Sequence, residues 1–360
     1  MGQIIQSRNA QHIVVDGRPL VIFCSNDYLG LSHHAQVLEA AARAAQEFGC
    51  GTGGAPGTSG TTRLYIELAH AIAEFKHRDK AVIFPSGYAA NVAIHQALGG
   101  ENTSFYCEQK HHPSAIDGIK LSGCPRLVFD CHYLGNLAKT LAADKHSQKV
   151  VTLPSVFTVT GDIAPLPELI ELKQKYGFLL ILDEAHATGC LGQTGRGIEE
   201  MYSLIGVADF IMGTFSKALG SQGGFLAFSN SADRLLARSF RPFIYSTSIS
   251  AMAVAASLKS LEILQTNPGL VSQMRQNIAA IHDSLSNSGL SLNKKGTHIV
   301  NVYFPTRDKT RRVIDNLFNL GYFVVELHLE DKFGLRITAM ATHTTEEITG
   351  FCKSLVAATE

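Results

Sequence analysis

The sequence predicts an α/β fold: a mainly parallel sheet in a large domain, followed by a smaller α+β unit. Three observations predict it. Short β-branched or aliphatic runs recur along the first two thirds of the chain. Helix-like stretches separate several of them. Polar, glycine-containing motifs follow where those runs end. Such alternation argues for parallel strands covered by helices on both faces.

In chain order, Ala35–Phe48 is Ala-rich and helical in pattern, and the glycines of residues 49–54 then turn the chain. Ala81–Phe84, Leu127–Phe129, Lys149–Leu153, Phe178–Leu182, Asp209–Met212 and Gly224–Phe228 read as buried strands. Ala89–Leu98, Ser114–Leu121 and Leu166–Tyr176 read as the helices between them. One long helix over about residues 250–287 is expected to lead into a second layout. That layout comprises a strand at Ile299–Phe304, a helix over Lys309–Leu320, strands near Tyr322–Val325 and Leu335–Thr338, and a helix from Thr345. The expected division is an N-terminal segment (1–45), a large domain (46–248), and the long connecting helix with a small C-terminal domain (249–360).

The chain has 360 residues, 45% of them apolar and 17% charged, with 31 basic side chains balancing 31 acidic ones. A neutral balance leaves no electrostatic footprint for nucleic acid or anionic lipid. No apolar run approaches the roughly 20 residues of a membrane span. The first residues have neither the charged start nor the apolar stretch of a signal peptide. Gln6 stands where a myristoylation pattern needs Ser or Thr. The seven cysteines contain no C-x-x-C pair, so they read as reduced thiols of a cytoplasmic protein.

Several motifs fail on inspection. Gly49-Cys50-Gly51-Thr52-Gly53-Gly54 matches G-x-G-x-x-G but follows a helical stretch, so the dinucleotide context is missing. Asp183-Glu184-Ala185-His186 spells a helicase-like acidic box, yet the dipeptide Gly-Lys occurs nowhere, so no P-loop accompanies it. There is no G-x-S-x-G elbow. His111-His112 are adjacent, and neighbours rarely share a metal without further spaced ligands; no metal is expected.

One constellation survives. Chemistry in an open α/β sheet gathers at the carboxyl ends of the strands. The strand before Asp183 places a carboxylate there, with His186 on the following turn, so the two can address two sides of a flat heterocycle. The strand at 209–212 runs into Thr214-Phe215-Ser216-Lys217, where an amine among small and hydroxyl residues can be partly desolvated and nucleophilic. Phe84-Pro85-Ser86-Gly87-Tyr88 passes from strand to helix, offering backbone N–H groups and the Ser86 hydroxyl to a phosphate. A phosphate seat, a Schiff-base lysine and an aspartate for a pyridinium nitrogen are what pyridoxal 5′-phosphate (PLP) requires. Each part alone has a bland rival: a capping Ser, a surface Lys, a strand-end Asp.

With these parts in this order, the sequence resembles the α-oxoamine synthases, fold-type-I PLP enzymes that include 8-amino-7-oxononanoate synthase and serine palmitoyltransferase. The resemblance runs from about Val15 onward. Its marks are Ser25-Asn26-Asp27-Tyr28-Leu29-Gly30-Leu31, Thr58-Ser59-Gly60-Thr61, Ser86-Gly87-Tyr88, and His112-Pro113-Ser114 with Asp117-Gly118. Further marks are residues 161–166, Asp183–His186, Thr214–Gly220 and Tyr245-Ser246-Thr247-Ser248.

By this resemblance Lys217 would carry the cofactor and move protons at the substrate Cα, while Asp183 would keep the pyridine nitrogen protonated. His186 would bond the phenolic oxygen, with Thr158 where the family usually has Ser. His112 would stack on the ring; its bland rival is a helix-capping histidine. Ser86, the Gly87 and Tyr88 amides and Thr214 would hold the phosphate, joined by Thr247 from a second subunit of a homodimer. Arg336 falls where the family's carboxylate-binding arginine stands, and a planar guanidinium suits that grip. Asn26 and Arg18 are further substrate candidates.

The implied reaction condenses a small amino acid with an acyl-CoA or other acyl thioester. The amino acid displaces Lys217 and loses its α-proton, the carbanion attacks the thioester, CoA leaves, and decarboxylation gives an α-amino ketone. A biotin-pathway 8-amino-7-oxononanoate synthase-like activity is the leading expectation. A long-chain α-oxoamine synthase, a fold-type-I aminotransferase and a non-catalytic partner subunit are the alternatives; the last sits poorly with Lys217, Asp183, His186 and His112 all being present.

The chain also departs from the family. The Glu before the V-F/Y-S segment is replaced around Pro154-Ser155, the following acid is Thr160, and a histidine appears as Tyr65. The Pro-rich loop before the arginine strand is shortened to residues 328–333, and the N-terminal arm is short. These changes are expected to touch the substrate side.

Overall fold

A computed structural model describes residues 4–236, 240–327, 329 and 332–359; of the shortened loop, His328, Glu330 and Asp331 lie outside the described residues. The chain forms two compact units. The larger comprises residues 35–157 and 164–266; the smaller comprises 1–34, 158–163 and 267–360.

The larger unit is built on seven strands: β1 (Lys80–Phe84), β2 (Thr103–Glu108), β3 (Arg126–Phe129), β4 (Gln148–Pro154), β5 (Leu179–Asp183), β6 (Phe210–Thr214) and β7 (Gly224–Phe228). Their order across the sheet is β1-β7-β6-β5-β4-β2-β3. Neighbours from β3 to β6 run parallel, whereas β7 is antiparallel to both β6 and β1. Every residue of β2, β6 and β7 is buried, as sheets covered on both faces require. Phe84, Phe105, Phe210 and Phe228 pack with Ala90, Ile94 and Leu98 of the helix Gly87–Leu98. Each such phenyl ring contributes about 1.5–3 kcal/mol by leaving water.

Six of the seven strands match the sequence expectation to within two residues at each end. β2 was not expected: its sequence, Thr-Ser-Phe-Tyr-Cys-Glu, has neither an unbroken apolar run nor clean alternation. Its polar groups are paired instead, with Thr103 Oγ1 donating to the Leu98 carbonyl and Tyr106 Oη donating to Asp144.

The expected long helix is a correction. Ala251–Thr266 and Gly269–Ser286 are separate helices. Pro268 caps the second, and with no backbone N–H and a fixed φ it cannot continue the first. The predicted strand near Tyr322–Val325 is likewise two short strands in different sheets.

The smaller unit carries two four-stranded sheets. One joins Ile5–Asn9, His12–Val15 and Arg18–Ile22 to Tyr322–Phe323; the other joins Ser291–Leu292, Ile299–Phe304, Phe333–Thr338 and Val325–Glu326. Helices Gly269–Ser286, Arg307–Asn319 and Thr345–Thr359 contribute Ile281, Val313, Phe351 and Leu355 to a core shared with Val302 and Leu335.

Candidate active site

Within the larger unit, the sheet delivers its polar groups at strand ends. β5 ends in Asp183, 5% exposed, and both of its carboxylate oxygens are anchored. Oδ1 accepts from the Ala185 N–H at 3.0 Å, and Oδ2 accepts from Asn91 Nδ2 at 2.9 Å. The turn after β5 buries His186, and Lys217, on the loop after β6, places Nζ 2.8 Å from His186 Nε2. Two residues of separated sequence thus meet because β5 and β6 are adjacent and parallel.

The strand-to-helix passage behaves as its sequence suggests. Ser86 is the N-cap of the helix Gly87–Leu98, and its Oγ accepts from the Ala89 N–H at 3.1 Å. Among the described residues no partner takes its hydroxyl proton or the Gly87 and Tyr88 N–H groups, which can serve an anion at the positive end of the helix dipole. A Cβ added at Gly87 would lie 3.3 Å from Thr214 Cβ, so the helix start and the end of β6 close on one another. Thr214 Oγ1 donates to the Gly223 carbonyl at 2.7 Å and lies 2.8 Å from Ser216 Oγ. Ser216 is exposed, which makes its hydroxyl the more available of the two.

His112 caps the helix Pro113–Ser122, its Nδ1 accepting from the Ser114 N–H at 3.2 Å. Capping uses only Nδ1 and leaves the ring face and Nε2, so the capping role and a stacking role are compatible. Desolvation lowers its pKa, with Asp183 opposing and Lys217 adding to the effect. The neighbouring His111 has both nitrogens engaged, by Thr152 Oγ1 at 3.0 Å and by the His112 N–H at 2.8 Å. Thr247 and Tyr245 are exposed, Tyr245 by 72%.

Other expected residues belong to the smaller unit. Arg336 Nε donates to the Thr158 carbonyl at 2.7 Å, and Nη2 donates to Asn26 Oδ1 at 3.2 Å and Tyr28 Oη at 3.3 Å. Arg336, Asn26 and Thr158 are therefore brought together, with Tyr28 as an addition that the sequence reading did not assign a role. Arg18 is used elsewhere, donating to Asn319 Oδ1 at 2.9 Å with its guanidinium over the Phe318 ring.

The departures also have places. Pro154 pairs in register with Asp183, so no acid stands beside that carboxylate on β4. The Thr160 carbonyl is held by Asn293 and Asn301. Tyr65 is buried and its phenol donates to the Ile83 carbonyl at 2.7 Å, a structural use.

Asn91 is the main residue that sequence reasoning missed. A signal existed: Gly87, Asn91 and His95 recur at four-residue spacing and share one face of a mostly apolar helix.

The donor set fits PLP. A helix N-terminus suits a dianion, an anchored carboxylate suits a protonated ring nitrogen, and an amine lies within hydrogen-bond distance of an imidazole.

Comparisons with known proteins agree. Residues 18–355 match the aminotransferase class I and II family. The chain is 36% identical to an 8-amino-7-oxononanoate synthase of Pelobacter propionicus, over 96% of this chain and 90% of that one. Its fold is similar to a serine palmitoyltransferase from S. paucimobilis with PLP bound as a myriocin aldimine (27% identity, TM-score 0.95, 99% of this chain and 92% of that one). It is also similar in fold to an 8-amino-7-oxononanoate synthase from Francisella tularensis (24% identity, TM-score 0.81, 94% and 97% covered). Among the described residues no helix is long and apolar enough to cross a membrane. The chain belongs to the aminotransferase class I and II family and, within it, to the α-oxoamine synthases, PLP-dependent acyltransferases of fold type I.

Proposed function

We propose that the protein joins a small amino acid to an acyl thioester with loss of carbon dioxide, releasing CoA and an α-amino ketone. Alanine with a dicarboxylic acyl-CoA is the first pair, in line with the curated relatives named 8-amino-7-oxononanoate synthase. The carrying observation is Lys217 Nζ, on the loop after β6, at 2.8 Å from His186 Nε2, on the turn that follows an Asp183 held by two donors. When bound, the cofactor supplies an electron sink for charge developing at the amino acid's Cα.

The chain's own groups do the rest. Asp183 keeps a proton on the ring nitrogen. The Lys217 amine holds the cofactor and then takes and returns the proton at Cα, and His186, with Thr158, bonds the phenolic oxygen. His112 covers the ring with its imidazole face. Ser86, the Gly87 and Tyr88 amides and Thr214 bind the phosphate, and Thr247 reaches it from a second copy of the chain. Arg336 and Asn26 grip the amino acid's carboxylate, whereas Arg18, bonded to Asn319 and lying over Phe318, is given no substrate role. The exposed Tyr245 and Ile244, beside Thr247, support the homodimer reading. We place the working enzyme in the cytoplasm, since reduced cysteines and CoA substrates suit it.

The test is thiol release from acyl-CoAs spanning acetyl, pimeloyl and palmitoyl, each with glycine, alanine and serine. Release with pimeloyl-CoA and alanine alone is expected. Preference for palmitoyl-CoA would move the assignment to a long-chain synthase, a reading favoured by the TM-score of 0.95 to serine palmitoyltransferase. No thiol release together with turnover of a keto acid would make it an aminotransferase.

A further inference from the structure

The groups behind Asp183 form a closed hydrogen-bond circuit whose every proton can be assigned. Asn91 Nδ2 donates both its protons, to Asp183 Oδ2 and to Ser114 Oγ, each at 2.9 Å. The amide cannot be flipped, because its oxygen would then face a carboxylate. With one lone pair occupied, Ser114 Oγ donates to His112 Nδ1 at 2.7 Å, and the Ser114 N–H approaches the same nitrogen at 3.2 Å. His112 Nδ1 is therefore an acceptor.

A second arm returns to the same asparagine. The His112 N–H donates to His111 Nδ1 at 2.8 Å, so neutral His111 carries its proton on Nε2 and gives it to Thr152 Oγ1 at 3.0 Å. Thr152 then donates to His95 Nε2 at 3.1 Å, and His95 Nδ1 donates to the Asn91 carbonyl at 2.8 Å. Both imidazoles are neutral, since burial pushes His95 down to about 4 and His111 down to about 3. Gly118 lets the two helices close over this arm: a Cβ there would lie 3.0 Å from His95 Cβ and 3.1 Å from the Asn91 carbonyl oxygen. Asn91 Oδ1, meanwhile, is buried with no hydrogen-bond partner among the described residues. Leaving an amide oxygen so costs stability, a cost that a purely structural residue such as Leu would avoid.

We propose that Asn91 is a positioning residue coupling Asp183 to His112: it fixes the Asp183 carboxylate and, through Ser114, holds His112 as the tautomer protonated on Nε2. Neither His95 nor His111 supplies a positive charge to Asp183, so that carboxylate is reserved for the protonated ring nitrogen of the cofactor. The inference rests on the PLP reading of the site.

The experiment compares full-length wild type, Asn91→Ala, Asn91→Asp and Ser114→Ala, each checked for folding by circular dichroism. Cofactor Kd and the pH midpoint of the visible band are measured for each. Removing a hydrogen bond to a charged acceptor should raise the Kd of Asn91→Ala about 10-fold and move the band midpoint. Asn91→Asp, whose carboxylate would face Asp183, should bind the cofactor more weakly still. Ser114→Ala keeps the Asp183 contact and should change Kd by less than about 2-fold. Folded Asn91 variants with wild-type Kd and midpoint would overturn the proposal. Should those variants fail to fold, the cofactor-free wild type still decides it. The ¹⁵N shifts of the His112 ring, assigned against His112→Gln, should report an unprotonated Nδ1; a protonated Nδ1 breaks the circuit at Ser114. A wild type lacking any Lys217-dependent band would instead count against the PLP reading itself.

Discussion

Lys76 and Glu184 form an ion pair almost wholly out of solvent, Nζ to Oε2 at 2.5 Å with side chains 1% and 0% exposed. Lys76 Nζ also donates to the Arg196 carbonyl at 2.5 Å, and Glu184 accepts from the Ile198 N–H at 2.7 Å and from Thr188 Oγ1 at 3.3 Å. The pair therefore ties the turn after Asp183 to the loop around residues 196–198. Lys76→Met removes the cation and leaves a buried carboxylate with neutral donors only. Breaking such a pair on one side costs about 3–5 kcal/mol. For a cooperative unit of roughly 200 residues that lowers the unfolding midpoint by at least about 6 °C.

The size of the loss comes from the orphaned charge, so removing that charge should return much of it. In Lys76→Met with Glu184→Gln, the amide oxygen still accepts from Ile198 and no net charge is buried. More than half of the lost stability should come back. Thermal unfolding by circular dichroism, with saturating cofactor for every variant, reads both numbers; holding cofactor fixed matters because ligand binding itself raises the midpoint. A shift below about 2 °C for the single variant, or a double variant no better than the single, would refute the reasoning.

Lys217→Ala should abolish turnover and the amine-dependent visible band while the protein stays folded; retained activity would remove Lys217 from its role. Arg336→Lys keeps charge but loses the fork that reaches Thr158 and Asn26, so KM for the amino acid should rise about 10-fold or more with the cofactor spectrum unchanged; an unchanged KM would place carboxylate binding elsewhere. Burial depresses His95 and His343 to about 4 and His111 to about 3. The unfolded chain therefore binds protons below about pH 6.5 that the folded chain refuses, and stability falls as pH drops from there towards 4, by up to about 1.4 kcal/mol per pH unit for each group. Glu108 acts in the opposite sense, because burial raises it to about 7 and its contribution is lost as pH rises from about 4.5 to 7. Glu108→Gln should then steepen the rise of the urea midpoint between pH 4.5 and 6.5; a flatter profile would contradict the sign.

The parts of the fold readable from sequence were those whose signal is local. Leu166–Tyr176 reads correctly because an apolar stripe ends at Gly177, which adopts φ +66° as a helix stop. β2 was hidden because its Ser104 and Tyr106 hydroxyls are satisfied by Asp144, far along the chain, so its composition looks unlike a buried strand. The three N-terminal strands were hidden for a related reason: Tyr322–Phe323, some 300 residues away, completes their sheet. The site divides similarly. Asp183, His186, Lys217 and Ser86 stand on motifs whose order singles them out as candidates, whereas Asn91 acquires meaning only once Ser114 and Asp183 are brought to either side of it.

The replacement of an acid at Pro154 can be argued from the same geometry. In register beside Asp183, a second buried carboxylate would repel it in a medium where the attraction or repulsion of charges is little screened. One of the two would take up a proton, and the charge that the ring nitrogen needs would be shared. Here β4 instead offers proline at that position and the Thr152 hydroxyl two residues earlier, which joins two neutral imidazoles. The surroundings of Asp183 are thus rich in dipoles and poor in competing charge. On the proposed reading, that arrangement keeps one anion for one cationic ring nitrogen, and it does so without reference to the acyl chain. Discrimination between acyl chains falls, on the same reading, to residues outside this circuit. Exchanging Thr152 for Val would test the dipole argument: cofactor Kd should rise several-fold as His95 and His111 lose their shared partner, while the ranking of acyl-CoAs stays the same. A changed ranking would mean that the circuit reaches the acyl site after all.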